Sequence, residues 1–180
     1  ERVNDSTQLV ELSDQQYRFI RDQLVRDGRV VRFAGAAQQG QTTLEDYALV
    51  ACAIAAYAQQ RNHAKARDIA QQLVQTSFDR FFQQGRWLRT RHSFIPGNDG
   101  DWVMQDDVLE SPVSILLETV QMLPGLPQGL RDKANELIAR LTRDMLDIPY
   151  HYASAIMLRA RLQQQSVASD QHSSPNGSVR

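Results

Sequence analysis

The sequence predicts an all-α chain of antiparallel helical hairpins forming part of a toroid, with a short β-hairpin or ordered loop near 86–105. Three observations carry this expectation. Apolar residues recur at helical spacing in several segments, segments apolar nearly all round alternate with segments apolar on one side, and the connections differ in length. A helix apolar on most sides is packed on most sides, and a one-sided helix covers it from outside, so the alternation describes hairpins with inner and outer members. The unequal loops, and the lack of small and aromatic positions at a fixed period, disfavour a tetratricopeptide-type solenoid and favour a closed ring.

Taken in order, Ser13 followed by Gln16 has the form of a capping box, and Tyr17, Ile20, Leu24 and Val25 then keep helical spacing until Gly28, which predicts a helix from Ser13 to about Asp27. The β-prone run Val30-Val31-Arg32-Phe33 predicts a short strand, followed by a loop to Gly40. Thr42 or Thr43 can cap the next helix, with Glu45 and Asp46 in its first turn, where the helix dipole favours carboxylates. Leu44, Tyr47, Ala48, Ala51, Ile54, Ala55 and Tyr57 surround nearly the whole of that helix, marking an inner member. The helix from about His63 to Phe82 keeps Ala66, Ala70, Leu73, Val74 and Phe78 on one stripe, marking an outer one.

Gly85 ends that helix, and Trp87, Phe94, Trp102 and Val103 then flank the turn Pro96-Gly97-Asn98-Asp99-Gly100. A helix from about Ser111 to Met122 follows, with Pro112 suited to its first turn, and Pro124, Gly125 and Pro127 stop it. The next, about Gln128 to Leu146, is one-sided through Leu130, Ala134, Leu137, Ile138 and Leu141. A sixth helix is expected from Tyr152 to about Gln163. Residues 1–165 thus make one helical domain, and 166–180, nearly free of apolar residues, read as a disordered tail.

With 20 basic against 21 acidic residues in 180, no net field draws the chain to nucleic acid or to an anionic membrane, and neither partner is expected. The single cysteine, Cys52, rules out an internal disulfide and any cysteine-based metal cluster. No stretch approaches the roughly 20 apolar residues of a spanning helix. The compartment is not legible from the first residues, although a cytoplasmic setting is favoured.

The run from Leu24 to Tyr57 resembles the epimerase-like helical part of the thioredoxin-domain proteins of the spermatogenesis-associated-protein-20 type. The matching residues are Arg29, Arg32, Leu44, Glu45, Asp46, Tyr47 and Ala48, and downstream Ala66, Ala70, Leu73 and a Phe at 78 or 81 keep the family's order. Near Asp107 the family's Pro-Ser is shifted to Ser111-Pro112, and Ser114 stands where the family has Asn. The resemblance spans roughly Ser13 to Gln163. It implies the carboxy-terminal half of an (α/α)6 toroid similar to N-acylglucosamine 2-epimerases, whose partners would be the missing first half of the ring and a thioredoxin-like domain. The Cys-x-x-Cys motif of such a domain is not in this sequence, and no cofactor is expected.

The candidate chemistry lies where inner helices begin. Asp46 and Asp107 can face one cavity as a carboxylate pair for acid/base work of an epimerase or isomerase kind. The same residues also serve as helix caps, and both readings stand. Tyr47, Arg32, Trp102 and His151 are the candidate binding residues, for a small carbohydrate or a peptide. Arg32 belongs with Arg29, Arg86, Arg89 and Arg91 to the non-helical segments, where a guanidinium can hold a carboxylate, while Trp87 and Trp102 either stack on a sugar or close a hairpin over the core. The histidines lack the spacing of metal ligands on a helix, and no nucleophile elbow, phosphate loop or dinucleotide fingerprint occurs. A non-catalytic helical interaction module is the alternative reading.

Overall fold

Helix α2 (Leu44–Arg61) is the centre of the molecule, and its ends are set by local chemistry. At its start the Thr43 hydroxyl accepts the Asp46 N–H, and the Asp46 carboxylate accepts the Thr43 N–H at 2.7 Å, a complete capping box. At its end Asn62 adopts a left-handed conformation and returns its N–H to the last carbonyls. His63 then caps α3 (Ala64–Phe81), its ring Nδ1 accepting the Ala66 N–H at 3.1 Å. The tight connection Asn62-His63 folds α3 back antiparallel to α2. These elements belong to a computed structural model that describes residues 2–32, 42–90, 105–106, 110–144 and 148–172.

The other helices are α1 (Arg2–Phe19), α4 (Pro112–Met122), α5 (Gln128–Asp144) and α6 (Ala153–His172). A π-helical stretch, Ile20–Leu24, continues α1, and a 3-10 turn, Pro149–Tyr152, leads into α6. The fold is all-α, with strands confined among the described residues to two small antiparallel hairpins and one isolated bridge.

Those hairpins are copies of one design. In the first, β1 (Val25–Arg26) pairs with β2 (Arg29–Val30) around Asp27 and Gly28, both at positive φ. In the second, β3 (Phe82–Gln83) pairs with β4 (Arg86–Trp87) around Gln84 and Gly85, again both at positive φ. Two central residues at positive φ give the two-residue turn whose twist matches the flanking strands. The Val31 N–H donates to Leu24 O at 2.9 Å, and the Leu88 N–H to Phe81 O at 2.7 Å, in corresponding places. The segments leaving the hairpins meet at the Thr43–Thr90 bridge, where the Leu44 N–H donates to Arg89 O at 2.9 Å. α1 and α3 are thus each followed by the same device.

The core forms between two layers. Helices α2, α4 and α6 make one row, with α3 packed on α2 and α5 against α4 and α6. Thr119 of α4 stands beside Cys52 in the middle of α2, and Gln71, near the middle of α3, donates to Pro124 O just beyond α4, so α4 runs parallel to α2 and ends beside its middle. Arg161 pairs with Glu118 at similar depth in α6 and α4, which gives α6 the same direction. Leu44, Tyr47, Ala48, Ala51 and Ile54 of α2, Leu73 and Val74 of α3, and Val113, Leu116, Leu117 and Val120 of α4 are completely or almost completely buried. On α4 the buried residues spread widely around the helix, as the sequence predicts for an inner member, whereas on α3 they keep to one stripe; on α2 they also keep to one stripe, with Leu49 and Ala53 exposed on the far side, so the burial expected nearly all round that helix is not found.

Several boundaries differ from expectation. Helix α1 starts at Arg2 rather than Ser13: the turns before Ser13 contain no glycine or proline, so the Ser13–Gln16 pattern falls inside a helix already under way. Its end comes earlier than Asp27, because Val25 is taken into the first hairpin. Of the strand expected over 30–33 only Val30 lies in a strand, as the end of β2; Val31 and Arg32 lie beyond it, and 33 is outside the described residues. In the 86–105 region the hairpin begins earlier, at Phe82, and 91–104 lie outside the described residues. Helix α6 continues through His172, beyond the expected end at Gln163.

Candidate functional site

The N-termini of α4 and α6 converge on one side chain, Asp106. Its carboxylate accepts the Ser111 N–H at 2.9 Å and the Ser154 N–H at 2.8 Å, and also accepts the Ser154 hydroxyl. Its own N–H donates to His151 O at 2.8 Å. One carboxylate thus caps two helix starts, where unpaired N–H groups and the positive ends of the helix dipoles favour an anion. Since α2 runs parallel to α4 and α6, its start and Asp46 lie at the same end of the row. The candidate site is this end of the molecule.

Of the residues singled out in the sequence, Asp46 and Arg32 come together. Arg32 Nε stands 3.9 Å from Asp46 Oδ1, with the guanidinium half exposed and the carboxylate largely covered. The second Asp46 oxygen is occupied by the Thr43 N–H and hydroxyl. This geometry fits a cap with an arginine beside it, and leaves the arginine able to meet a ligand anion. Asp107 and Trp102 lie outside the described residues, so the Asp46–Asp107 pair has no geometry here. The carboxylate that sequence reasoning passes over in favour of Asp107 is Asp106, immediately before it.

Tyr47 faces the core. It is fully buried, with its ring edge-on to Phe81 at 5.4 Å and the Arg80 guanidinium carbon 5.7 Å from the ring centroid. Its hydroxyl has no hydrogen-bond partner among the described residues. Trp87 is equally buried between Phe78 and Phe82, at ring separations of 5.0 and 4.8 Å, and closes the second hairpin over the core. His151 joins the site through its backbone carbonyl, while its ring lies 4.6 Å from that of Tyr150, which is mostly exposed.

At the opposite end of α2, Tyr17 and Tyr57 stack at 4.1 Å, with His63 tilted against both. The Tyr57 hydroxyl donates to Asp14 at 3.0 Å and Arg61 to its other oxygen at 2.9 Å. The hydrogen bond from Tyr57, and then the charge of Arg61, hold the Asp14 carboxyl below the usual carboxylate range. This cluster fastens α1 to α2. The turns of α1 before it leave Leu9, Val10 and Leu12 exposed, and Phe19 is exposed on the far side.

Among the described residues no group of three His, Cys, Asp or Glu side chains is placed to hold a metal, and no helix is long and apolar enough to cross a membrane. Cys52, half-buried beside Thr119, has its thiol pushed up by burial, away from the thiolate form a nucleophile needs. No known protein family, curated protein or solved structure matches the chain.

Proposed function

We propose that this chain is one arc of an (α/α)6 toroid of the epimerase-like kind found in thioredoxin-domain proteins, binding a small carbohydrate or a peptide where α2, α4 and α6 begin. The observation that carries the reading is the parallel row α2–α4–α6, whose capped starts gather Asp46, Arg32 and Asp106 at one end. A ring's inner helices have this relation, and their starts line its cavity. The missing arc, the first half of the same ring, covers the exposed flanks: Leu9, Leu12 and Phe19 on α1 and Leu49 on α2 at one edge, Ile156 and Met157 on α6 at the other. Apolar side chains at both edges of a single row are what a ring cut in two presents.

A second reading is a non-catalytic module that grips a peptide. The engagement of Asp46 and Asp106 as caps favours it, because a carboxylate that accepts two or three helix hydrogen bonds is poorly placed to move protons.

The test is calorimetric titration of monosaccharides, disaccharides and short peptides into the full-length protein and its Arg32→Gln variant. The ring reading expects saturable binding weakened in the variant with the melting temperature unchanged. Absence of binding to any of these ligands, or binding indifferent to Arg32, removes it. Turnover of a sugar selects the enzyme, and binding of peptides alone selects the module.

A further inference from the structure

The turn Asp27-Gly28-Arg29 and the last turns of α3 enclose a cleft of about 350 Å³, whose walls include Gln72, Asp79 and Arg80. None of Asp46, Arg32, Asp106 or His151 contributes to it. Its walls are tied to each other. The Thr76 hydroxyl donates to Gly28 O at 3.3 Å, and Gly28, at φ +69°, lies so close to Gln72 that any side chain there would meet it. Arg80 is held from behind, its guanidinium carbon 5.7 Å from the ring centroids of both Tyr47 and Phe81, and its Nε is buried without an acceptor among the described residues. Asp79 is steadied by the Gln75 amide at 3.0 Å, and Asp27 sits in the left-handed turn conformation.

Two guanidinium groups and two carboxylates thus line one small cleft. Among the described residues none of the four is within ion-pair distance of an opposite charge. Arg80 is held by the rings behind it, while Asp27, Arg29 and Asp79 are exposed to water, where an ion pair between them gains little, so all four charges stay open to a ligand. A lone anion reaching the arginines meets the carboxylates as well, and a lone cation has the converse difficulty. A molecule carrying both charges satisfies all four groups, and the volume is that of a small-ligand pocket, which begins near about 300 Å³.

We infer that this cleft is a binding site for a small zwitterion of the α-amino-acid type, its carboxylate on Arg29 and Arg80 and its ammonium between Asp27 and Asp79. It is independent of the site proposed at the helix starts, so either can fail its test while the other stands.

The experiment titrates the proteinogenic amino acids one at a time into the 180-residue chain, followed by calorimetry and by amide shifts in NMR spectra. Acetate and methylammonium, each carrying half of the ligand, are titrated alongside. The expected result is saturable binding of at least one amino acid, with shifts centred on Gly28 and α3. Arg29→Gln and Asp79→Asn, both at exposed positions, each weaken it about tenfold or more while the melting temperature holds. Three results overturn the inference: no amino acid saturating the protein by about 10 mM, binding unchanged in both variants, or acetate binding as well as the amino acid.

Discussion

Asp106 accepts the Ser154 N–H at 2.8 Å across nearly fifty residues of sequence, and through it the start of α6 is fastened to the start of α4. The sheet hairpins are local and α2 and α3 are joined by a tight turn, but α6 reaches the row through this carboxylate, the Arg161–Glu118 pair and a modest apolar contact made by Tyr152, Ala155 and Leu158.

Asp106→Ala is therefore expected to cost about 2–4 kcal/mol, since it leaves two helix N–H groups without their charged acceptor. Hydrogen exchange should show the first turns of α6 losing protection well before α2 and α3. Uniform loss across all helices would mean that α6 is held by other means.

Thr43→Ala removes one half of the capping box and should lower stability by about 1 kcal/mol, read as a shifted urea midpoint with unchanged slope. Asp46→Asn keeps an acceptor for the Thr43 N–H and should cost less than Asp46→Ala. If Asp46→Asn instead weakens ligand binding without touching stability, the carboxylate has a role beyond capping.

Much of this was legible in advance, and the exceptions have physical causes. Thr43, Asp46 and Gly85 act through neighbours a few residues away, so their roles can be read from spacing. Asp27-Gly28 between valines is an equally local hairpin signal, but it is obscured by helical spacing that runs up to Val25. The start of α1 has no sequence mark, because Arg2 to Leu12 contains nothing that prevents a helix. Asp106 stands in a different position: its partners Ser111 and Ser154 are brought to it by packing, and no pattern along the chain ties Asp106 to Ser154. Tyr47 shows the opposite limit, for its place at an inner-helix start is visible in the sequence while its direction, toward Phe81, is not.

Stability should fall on acidification partly through Asp14. The Tyr57 hydroxyl and Arg61 lower its folded-state value, so its contribution is fully present above the unfolded value near pH ~3.9 and is lost as pH drops through the folded one. Urea midpoints measured on either side of that range should differ less in Asp14→Asn than in the parent. An unchanged difference would place the acid-sensitive group elsewhere.

The two hairpin turns invite a paired test. Gly85→Ala meets nothing within 4 Å and should cost only the strain of positive φ, about 1–2 kcal/mol. Gly28→Ala bears the same strain and must also displace the Gln72 side chain, so its cost should be larger. Equal losses in thermal unfolding would show that Gln72 yields freely.

Cys52 should react slowly with iodoacetamide at neutral pH and quickly in denaturant, since burial keeps the thiol protonated and half covered. Rapid alkylation of the folded protein would show that α2 opens readily beside Thr119.

The recurrence of one two-residue turn after α1 and after α3 bears on how the chain assembles in time. Each turn closes a loop of minimal length, and the tight connection between α2 and α3 does the same for those two helices, so much of the structure is reached by short-range encounters with little loss of chain entropy. Topologies of that sort have low contact order and fold quickly. The slow event is then the long-range meeting of Asp106 with Ser154, and α6 is the helix of this row that finds its place last.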